Sequence, residues 1–300
     1  MSDRLPALRS QIARATELQS VVRTMKAVAA SCISQYEAAV QSLAEYDRTV
    51  QLALSVNLRR MEDSVSGVIS GSAGALSGNR GPTVVVVFGS DQGLVGRFNE
   101  AIAEFLLKVA ATLPQPCQVW AVGERIQALL ESTPFSPQRR FELPGSVGTV
   151  AKLVSQILLE IEAQRLRAPI AGLHLVHNRP DAAALHIPVA QRLLPLDADW
   201  VRRMAVVAWP TRYPPEIINE DPSTLLALVR EYLFVSIFRS CAESLASENA
   251  SRLSAMQRAE SNISERMEGL NRTFHRMRQD SIDEEMFDVL SGFEALAKSA

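Results

Sequence analysis

Proline and glycine are missing from two long stretches of this 300-residue chain, and their absence limits what the two ends can become. No proline lies between Pro6 and Pro82, and the first glycine is Gly67. After Pro222 there is no further proline, and only Gly269 and Gly292 interrupt. Inside a helix a proline costs about 3 kcal/mol and a glycine about 1 kcal/mol, so both stretches are free to be very long helices. The pattern predicts an N-terminal helix within 1–63, a linker over 64–82, a compact domain over 83–210 and a C-terminal helix within 223–300. The linker, "SVSGVISGSAGALSGNRGP", has the Ser/Gly composition of a flexible loop.

Both terminal segments carry an apolar seam. Val22, Met25, Ala29, Cys32, Tyr36, Ala39, Leu43, Tyr46 and Val50 alternate by three and four, the repeat of a coiled coil. Leu253, Met256, Ile263, Met267, Leu270, Phe274 and Met277 keep the same beat, with Ala259 or Glu260 filling a gap. After a skip at Gln279 and Asp280 the beat is expected to resume at Ile282, Met286, Val289 or Leu290, and Phe293. At 1.5 Å per residue each helix would be roughly 80 to 110 Å long. If they pair, they run antiparallel and project as a stalk.

The middle reads differently. "TVVVVF" (83–88), "CQVWAV" (117–122), 170–178 and 186–196 read as strands, whereas "ERIQALLES" and 147–166 read as helices. The alternation predicts an α/β fold, a Rossmann-like domain flanked by the long helices of an antiparallel coiled coil.

Bulk composition narrows the function. A formal net charge of −2 speaks against a general nucleic-acid binder. Cys32, Cys117 and Cys241 are far apart and read as buried thiols. The N-terminus lacks the apolar core of a signal peptide, and no apolar run approaches the roughly 20 residues of a membrane span. A peripheral or soluble chain is expected.

The first strand runs into "GSDQGLVGRFNE", a glycine-spaced turn followed by a helix. Many phosphate sites begin this way. However, the turn lacks the Gly-Lys-Ser/Thr of a P-loop and the spacing of a dinucleotide fingerprint. Its alternative reading is architectural. Ser90, Asp91, Gly93, Gly96 and Asn99 then form a structural turn, with Asp91 capping the following helix and Asn99 bracing the turn. His174, His177 and His186 lie without metal-ligand spacing and read as exposed strand residues. Asp280, Asp283, Glu284, Glu285 and Asp288 read as a solvated helix face rather than a cation site. No catalytic residue, metal or cofactor is expected.

In order along the chain, "VVRTMKAVAAS" (21–31), "GSDQGLVGRFN" (89–99), "RLLPL" (192–196), "SENASRLSAMQRAESNI" (247–263) and "FHRMRQDSIDEE" (274–285) with "LSG" (290–292) resemble the γ subunit of the F-type ATP synthases. That resemblance spans nearly the whole chain. It implies a central rotor shaft, non-catalytic in itself, whose Rossmann-like domain binds no nucleotide. It implies as partners an α3β3 hexamer, an ε subunit and a membrane ring of c subunits, with no homo-oligomer and no nucleic acid. The place implied is the cytoplasmic face of a bacterial membrane, with the chain peripheral to it. By resemblance, Met25, Lys26, Arg252, Gln279 and Glu285 fall where the family touches its β subunits. Arg266, Arg272, Arg276 and Arg278 lie around them and either meet acidic loops of β or simply solubilise a helix face.

The chain also departs from the family. Gln92, Val95 and Arg97 stand where many members have Arg, Cys and Gly, and Asp283 stands where a neutral residue is usual. These departures fit a divergent branch such as the alternative bacterial ATPases. Two other readings stay open on residues alone: a nucleotide-dependent enzyme that dimerises through its helices, and a free-standing coiled-coil adaptor.

Overall fold

The computed structural model describes residues 4–60, 81–196, 198–213, 215 and 222–299, and the predicted linker at 64–82 lies almost wholly outside them. The chain divides into two compact units, one made of Met1–Ala29 with Leu253–Ala300 and the other of Ala30–Arg252. Two long helices contribute to both, α1 (Arg4–Arg60) and α6 (Pro222–Ser299).

The larger unit holds a five-stranded sheet in the order β3-β2-β1-β4-β5. The strands are β1 (Thr83–Phe88), β2 (Cys117–Val122), β3 (Arg139–Phe141), β4 (Gly172–Asp181) and β5 (Leu185–Leu194). The first four run parallel, and β5 returns antiparallel along β4. Between them lie α2 (Phe98–Thr112), α3 (Glu124–Leu130), α4 (Val147–Arg167) and α5 (Ala198–Ala205).

Strand β1 is central and buried at all six positions. Its valines therefore serve two cores at once, as a covered parallel strand must. Val85 and Val87 pack with Ile102, Leu106, Ile126 and Leu130 of α2 and α3. Val84, Val86 and Phe88 point the other way, into a core shared with α4, α1 and α6 that includes Leu54, Leu153, Ile157 and Ile237. The two-residue period of a strand divides one apolar run between these layers. Strand β3 escapes sequence reading because "RRF" has no apolar period; its charged side chains suit an edge.

Near the sheet the α1 seam shifts. Leu43 is half-buried and Val50 and Leu54 are buried, but Asp47 takes the step between them. Tyr46, expected in the seam, is 45% exposed and donates its hydroxyl to Glu231 Oε2 at 2.7 Å. A strict three-four alternation belongs to helices that supercoil about each other; a helix lying on a sheet keeps a period of 3.6 and drifts off that alternation.

In the smaller unit α1 and α6 run antiparallel. Gln19 Nε2 donates to Ser264 Oγ at 2.9 Å, and the Arg9 guanidinium lies 6.0 Å from the Phe274 ring centre. Ala29 and Met256 are buried, and Ile263, Met267, Leu270, Phe274 and Met277 are half-buried. The expected resumption of the seam does not occur. Ile282, Met286, Val289 and Leu290 are all more than half exposed, and the side chain of Phe293 lies outside the described residues. The register explains this: residue numbers facing each other sum to about 283 along the pair, so α6 runs past Arg4 at about residue 279.

Two further expectations fail. Only Cys241 is a buried thiol, since Cys32 and Cys117 are half-buried. The strand histidines are not exposed either. His177 is 3% exposed, and His174 and His186 are half-buried.

Candidate functional site: a polar joint between the sheet and the C-terminal helix

In a sheet of this order the chain adds strands on one side of β1 and then crosses to add β4 on the other, and ligands of such sheets bind outside the carboxyl ends of the strands at that switch point. Here α6 occupies the place. Ser244 Oγ donates to the carbonyl of Phe88 at 3.5 Å, and Ser247 Oγ donates to the carbonyl of Asn178 at 3.1 Å. Buried strand carbonyls left over by the ladder need partners, and the helix supplies them with its own hydroxyls. Serines at 240, 244, 247 and 251 recur by three and four, so they share one face. Small side chains there let the helix approach the strands closely, and residues 241–249 of α6 are all buried.

The glycine turn forms the rim of this joint. Asn99 is 4% exposed and accepts the Ser90 backbone N–H on Oδ1 at 3.0 Å while donating Nδ2 to Ser90 Oγ at 2.8 Å. Ser90 Oγ in turn donates to the carbonyl of Gln92 at 2.9 Å. Gly89 is required by space: a Cβ there would stand 2.4 Å from Cβ of Ile126. Gly96 is required by conformation, at φ 62°, but the neighbouring left-handed position is held by an exposed leucine, Leu94 at φ 63°. Gly93 lies with its Cα side against the Arg125 guanidinium.

Asp91 does not cap α2, the helix that follows it. The residue before α2 is Arg97, which makes no side-chain cap. Instead Asp91 Oδ1 accepts the N–H of Glu124 at 3.0 Å, at the start of α3. The residue before α3 is Gly123, which has no side chain to cap with, so the carboxylate arrives from the neighbouring turn. The carbonyl of Ser90 accepts from Arg125 N–H at 2.9 Å and completes the junction.

Behind the rim lie ionisable groups. Glu248 is 3% exposed and pairs with Arg252, Nη2 to Oε1 at 2.7 Å. Burial pushes its carboxyl up to about 7, against the pull of Arg252 and with a further push from Asp91. Arg252 also reaches Asn249 Oδ1 at 3.4 Å. One turn earlier, Glu243 accepts from Arg239 at 2.8 Å and meets His177 Nε2 at 3.0 Å. Burial alone would raise Glu243, but the hydrogen bonds from His177 and Arg239 overcome it and hold the carboxyl below its ordinary range. Further along α6, Ser251 Oγ meets His186 Nδ1 at 3.0 Å, and the His186 ring packs edge-on to Phe98.

The Glu243 cluster carries a pH signature. Its folded pKa lies below the unfolded one, so its stabilisation is present above the ordinary carboxylate range and is lost as pH falls through it. Glu243→Gln is therefore expected to lose about 1–2 kcal/mol at neutral pH, with the gap to wild type closing on acidification. Urea midpoints across an acid series read this directly.

The positions singled out by family resemblance separate. Met25 is half-buried on α1, and Lys26 beside it donates Nζ to Glu260 Oε2 at 2.6 Å. Arg252 is turned inward, with its side chain 14% exposed. Gln279, Glu285 and the arginines at 266, 272, 276 and 278 are exposed on α6. The structure brings together Ser90, Asp91 and Asn99 and keeps Met25 and Lys26 in the other unit. The acidic run at 280–288 is exposed, and among the described residues no group of side chains has metal-ligand geometry. No helix among them is long and apolar enough to cross a membrane.

Residues 4–296 match the family model described as ATP synthase. The chain is 26% identical to an ATP synthase gamma chain of Rhodospirillum rubrum, over 97% of this chain and 99% of that one. The chain belongs to the ATP synthase gamma-chain family. A second member, from Granulibacter bethesdensis, is 27% identical over the same shares of the two chains. Among solved structures, the rotor of the Euglena gracilis mitochondrial ATP synthase has the same fold, with a TM-score of 0.61 over 94% of this chain and all of that one at 14% identity.

Sequence reading missed Ser244, Ser247, Glu243 and Glu248 as members of the joint. A signal was present: polar residues at 240, 243, 244, 247, 248 and 251 make a polar stripe in a segment whose other residues, Asn249 apart, are apolar or small. That stripe reads as solvent-facing until the sheet is placed against it.

Proposed function

We propose that this chain is the central rotor shaft of an F-type ATP synthase, turning inside an α3β3 hexamer and coupling ion flow to ATP synthesis or hydrolysis without catalysing either. The α/β domain at 83–210 is the foot, facing an ε subunit and a c ring at the cytoplasmic face of a bacterial membrane. The paired helices within 1–63 and 223–300 are the shaft, and 64–82 is the linker. Met25, Lys26, Gln279 and Glu285 are the proposed contacts with β; Arg252, turned inward onto Glu248, is assigned to the joint instead. The departures at Gln92, Val95, Arg97 and Asp283 fit a divergent branch of the family.

One observation carries this reading. Past the start of α1, helix α6 bears Ile282, Met286, Phe287, Val289 and Leu290, each more than half exposed. Five large apolar side chains on a helix with no partner among the described residues are costly in water and suit a surrounding sleeve of other subunits. Filling of the crevice by Ser244 and Ser247 supports a structural rather than a ligand-binding domain.

Co-expression with cognate α and β subunits tests the proposal. Native mass spectrometry is expected to find one copy of this chain on an α3β3 hexamer. A chain ending at Ser281 keeps the described contacts between α1 and α6 but is expected to lose assembly or most of the ATPase rate. A chain that pairs with itself and ignores α and β would sink the shaft in favour of an adaptor.

A further inference from the structure

A cavity of about 380 Å³ lies within the larger unit, between α6, α1 and the strands β4 and β5. Its α6 wall carries Tyr232, Ser236 and Ser240, which recur every four residues and so share one face of the helix. All three are more than nine-tenths buried. A serine inside a helix commonly returns its hydroxyl to the carbonyl one turn back, as Ser42 does to Ala38 and Ser155 to Ala151. Ser236 and Ser240 do not, and neither they nor the Tyr232 hydroxyl have a hydrogen-bond partner among the described residues. A buried hydroxyl without a partner costs roughly 1–3 kcal/mol, so a wall bearing three of them is built to face a polar occupant.

The charged groups around the cavity select the kind of occupant. Arg179 of β4 is exposed and makes no ion pair or hydrogen bond among the described residues. Arg239 of α6 bonds Glu243 through Nε at 2.8 Å and leaves both Nη groups unbonded. Two carboxylates line the same space. Glu243 is taken up on both oxygens, by Arg239 and by His177. Asp47 of α1 accepts from Gln51 on Oδ2 at 3.0 Å and keeps Oδ1 open. The occupant must therefore accept from hydroxyls and guanidiniums and also donate to a carboxylate, which can only accept. An oxyanion that keeps a proton meets both demands.

We propose that this cavity binds free inorganic phosphate as hydrogen phosphate. Arg179, the Nη groups of Arg239 and the hydroxyls of Ser236 and Ser240 donate to its oxygens, and Asp47 Oδ1 accepts from its P–OH. Sulfate at neutral pH has no hydrogen to offer Asp47. A phosphate ester, whose second ionisation lies at about pH 6, is largely without one. Every residue of the site belongs to the larger unit, so binding needs no other subunit and does not depend on the rotor reading.

Isothermal titration calorimetry of the full chain with inorganic phosphate, in a chloride buffer of fixed ionic strength, tests the site. One saturable event is expected at millimolar phosphate or below, with sulfate and glycerol 3-phosphate each about tenfold weaker or more. Arg179→Ala removes an exposed side chain that makes no described contact, so it should weaken phosphate about tenfold while leaving the thermal midpoint of the phosphate-free chain unchanged. Asp47→Asn should bring sulfate level with phosphate. Absence of saturable binding overturns the proposal, as does wild-type binding of sulfate or the ester as tight as that of phosphate. Unchanged phosphate affinity in Arg179→Ala, or a preference over sulfate that survives Asp47→Asn, overturns it too.

Discussion

Asn99→Ala is expected to lower the stability of the larger unit by about 3 kcal/mol, because it strands two buried polar groups at once. The Ser90 N–H loses its acceptor and Ser90 Oγ loses a donor, between two residues that are themselves buried. In a domain of this size such a loss lowers the thermal midpoint by roughly 6–12 °C. Ser90→Ala separates the two bonds. It removes the hydroxyl but keeps the N–H on Asn99 Oδ1, so its cost should be about 1 kcal/mol. Thermal melts of both variants check the pair. Equal, small losses would mean that the turn is held by its glycines and by the Asp91 cap on α3 instead.

Arg252→Ala is the second large effect, and its size should depend on pH. Removing one partner of a buried ion pair costs about 3–5 kcal/mol when the other must stay charged. Glu248 has an alternative, because burial has already pushed its carboxyl up to about 7. Once Arg252 is gone it takes up a proton near neutrality, which trims the loss at pH 7 to about 2–3 kcal/mol. The folded pKa lies above the unfolded one, so between them the folded chain binds the extra proton. Stability then falls as pH rises through the window, by up to about 1.4 kcal/mol per pH unit between roughly pH 5 and 7. The Arg252→Ala penalty should accordingly be smallest at the acidic end and grow toward pH 8. Glu248→Gln should abolish that slope. Denaturant midpoints over a pH series decide the matter, since the neighbouring Glu243 cluster slopes in the opposite sense.

The long helices were legible because proline and glycine are nearly absent from their interiors, and strands β1 and β2 because buried parallel strands leave largely apolar runs. The brace of Asn99 on Ser90 was legible as local chemistry across nine positions of chain. What joins distant segments was not. Asp91 caps a helix that begins 33 residues later, because Gly123 cannot cap itself; nothing local to either position announces the pairing. His177 looks like a surface strand residue until Glu243, 66 positions on, covers it. The seam beyond Ile282 kept its beat in sequence but has no described partner helix in register, since periodicity states which face is apolar and not what lies against it.

The serine stripe on α6 also restricts movement of that helix about its own axis. Neighbouring helix residues point about 100° apart, so turning α6 by one residue would bring Leu245 toward the Phe88 carbonyl and Glu248 toward that of Asn178. Both strand carbonyls would lose their hydroxyls together, and an alkyl chain and a carboxylate would face oxygen. The sheet therefore works on the helix as a keyway works on an axle: twist applied to α6 at this level is borne by the whole sheet rather than spent in spinning one helix loose.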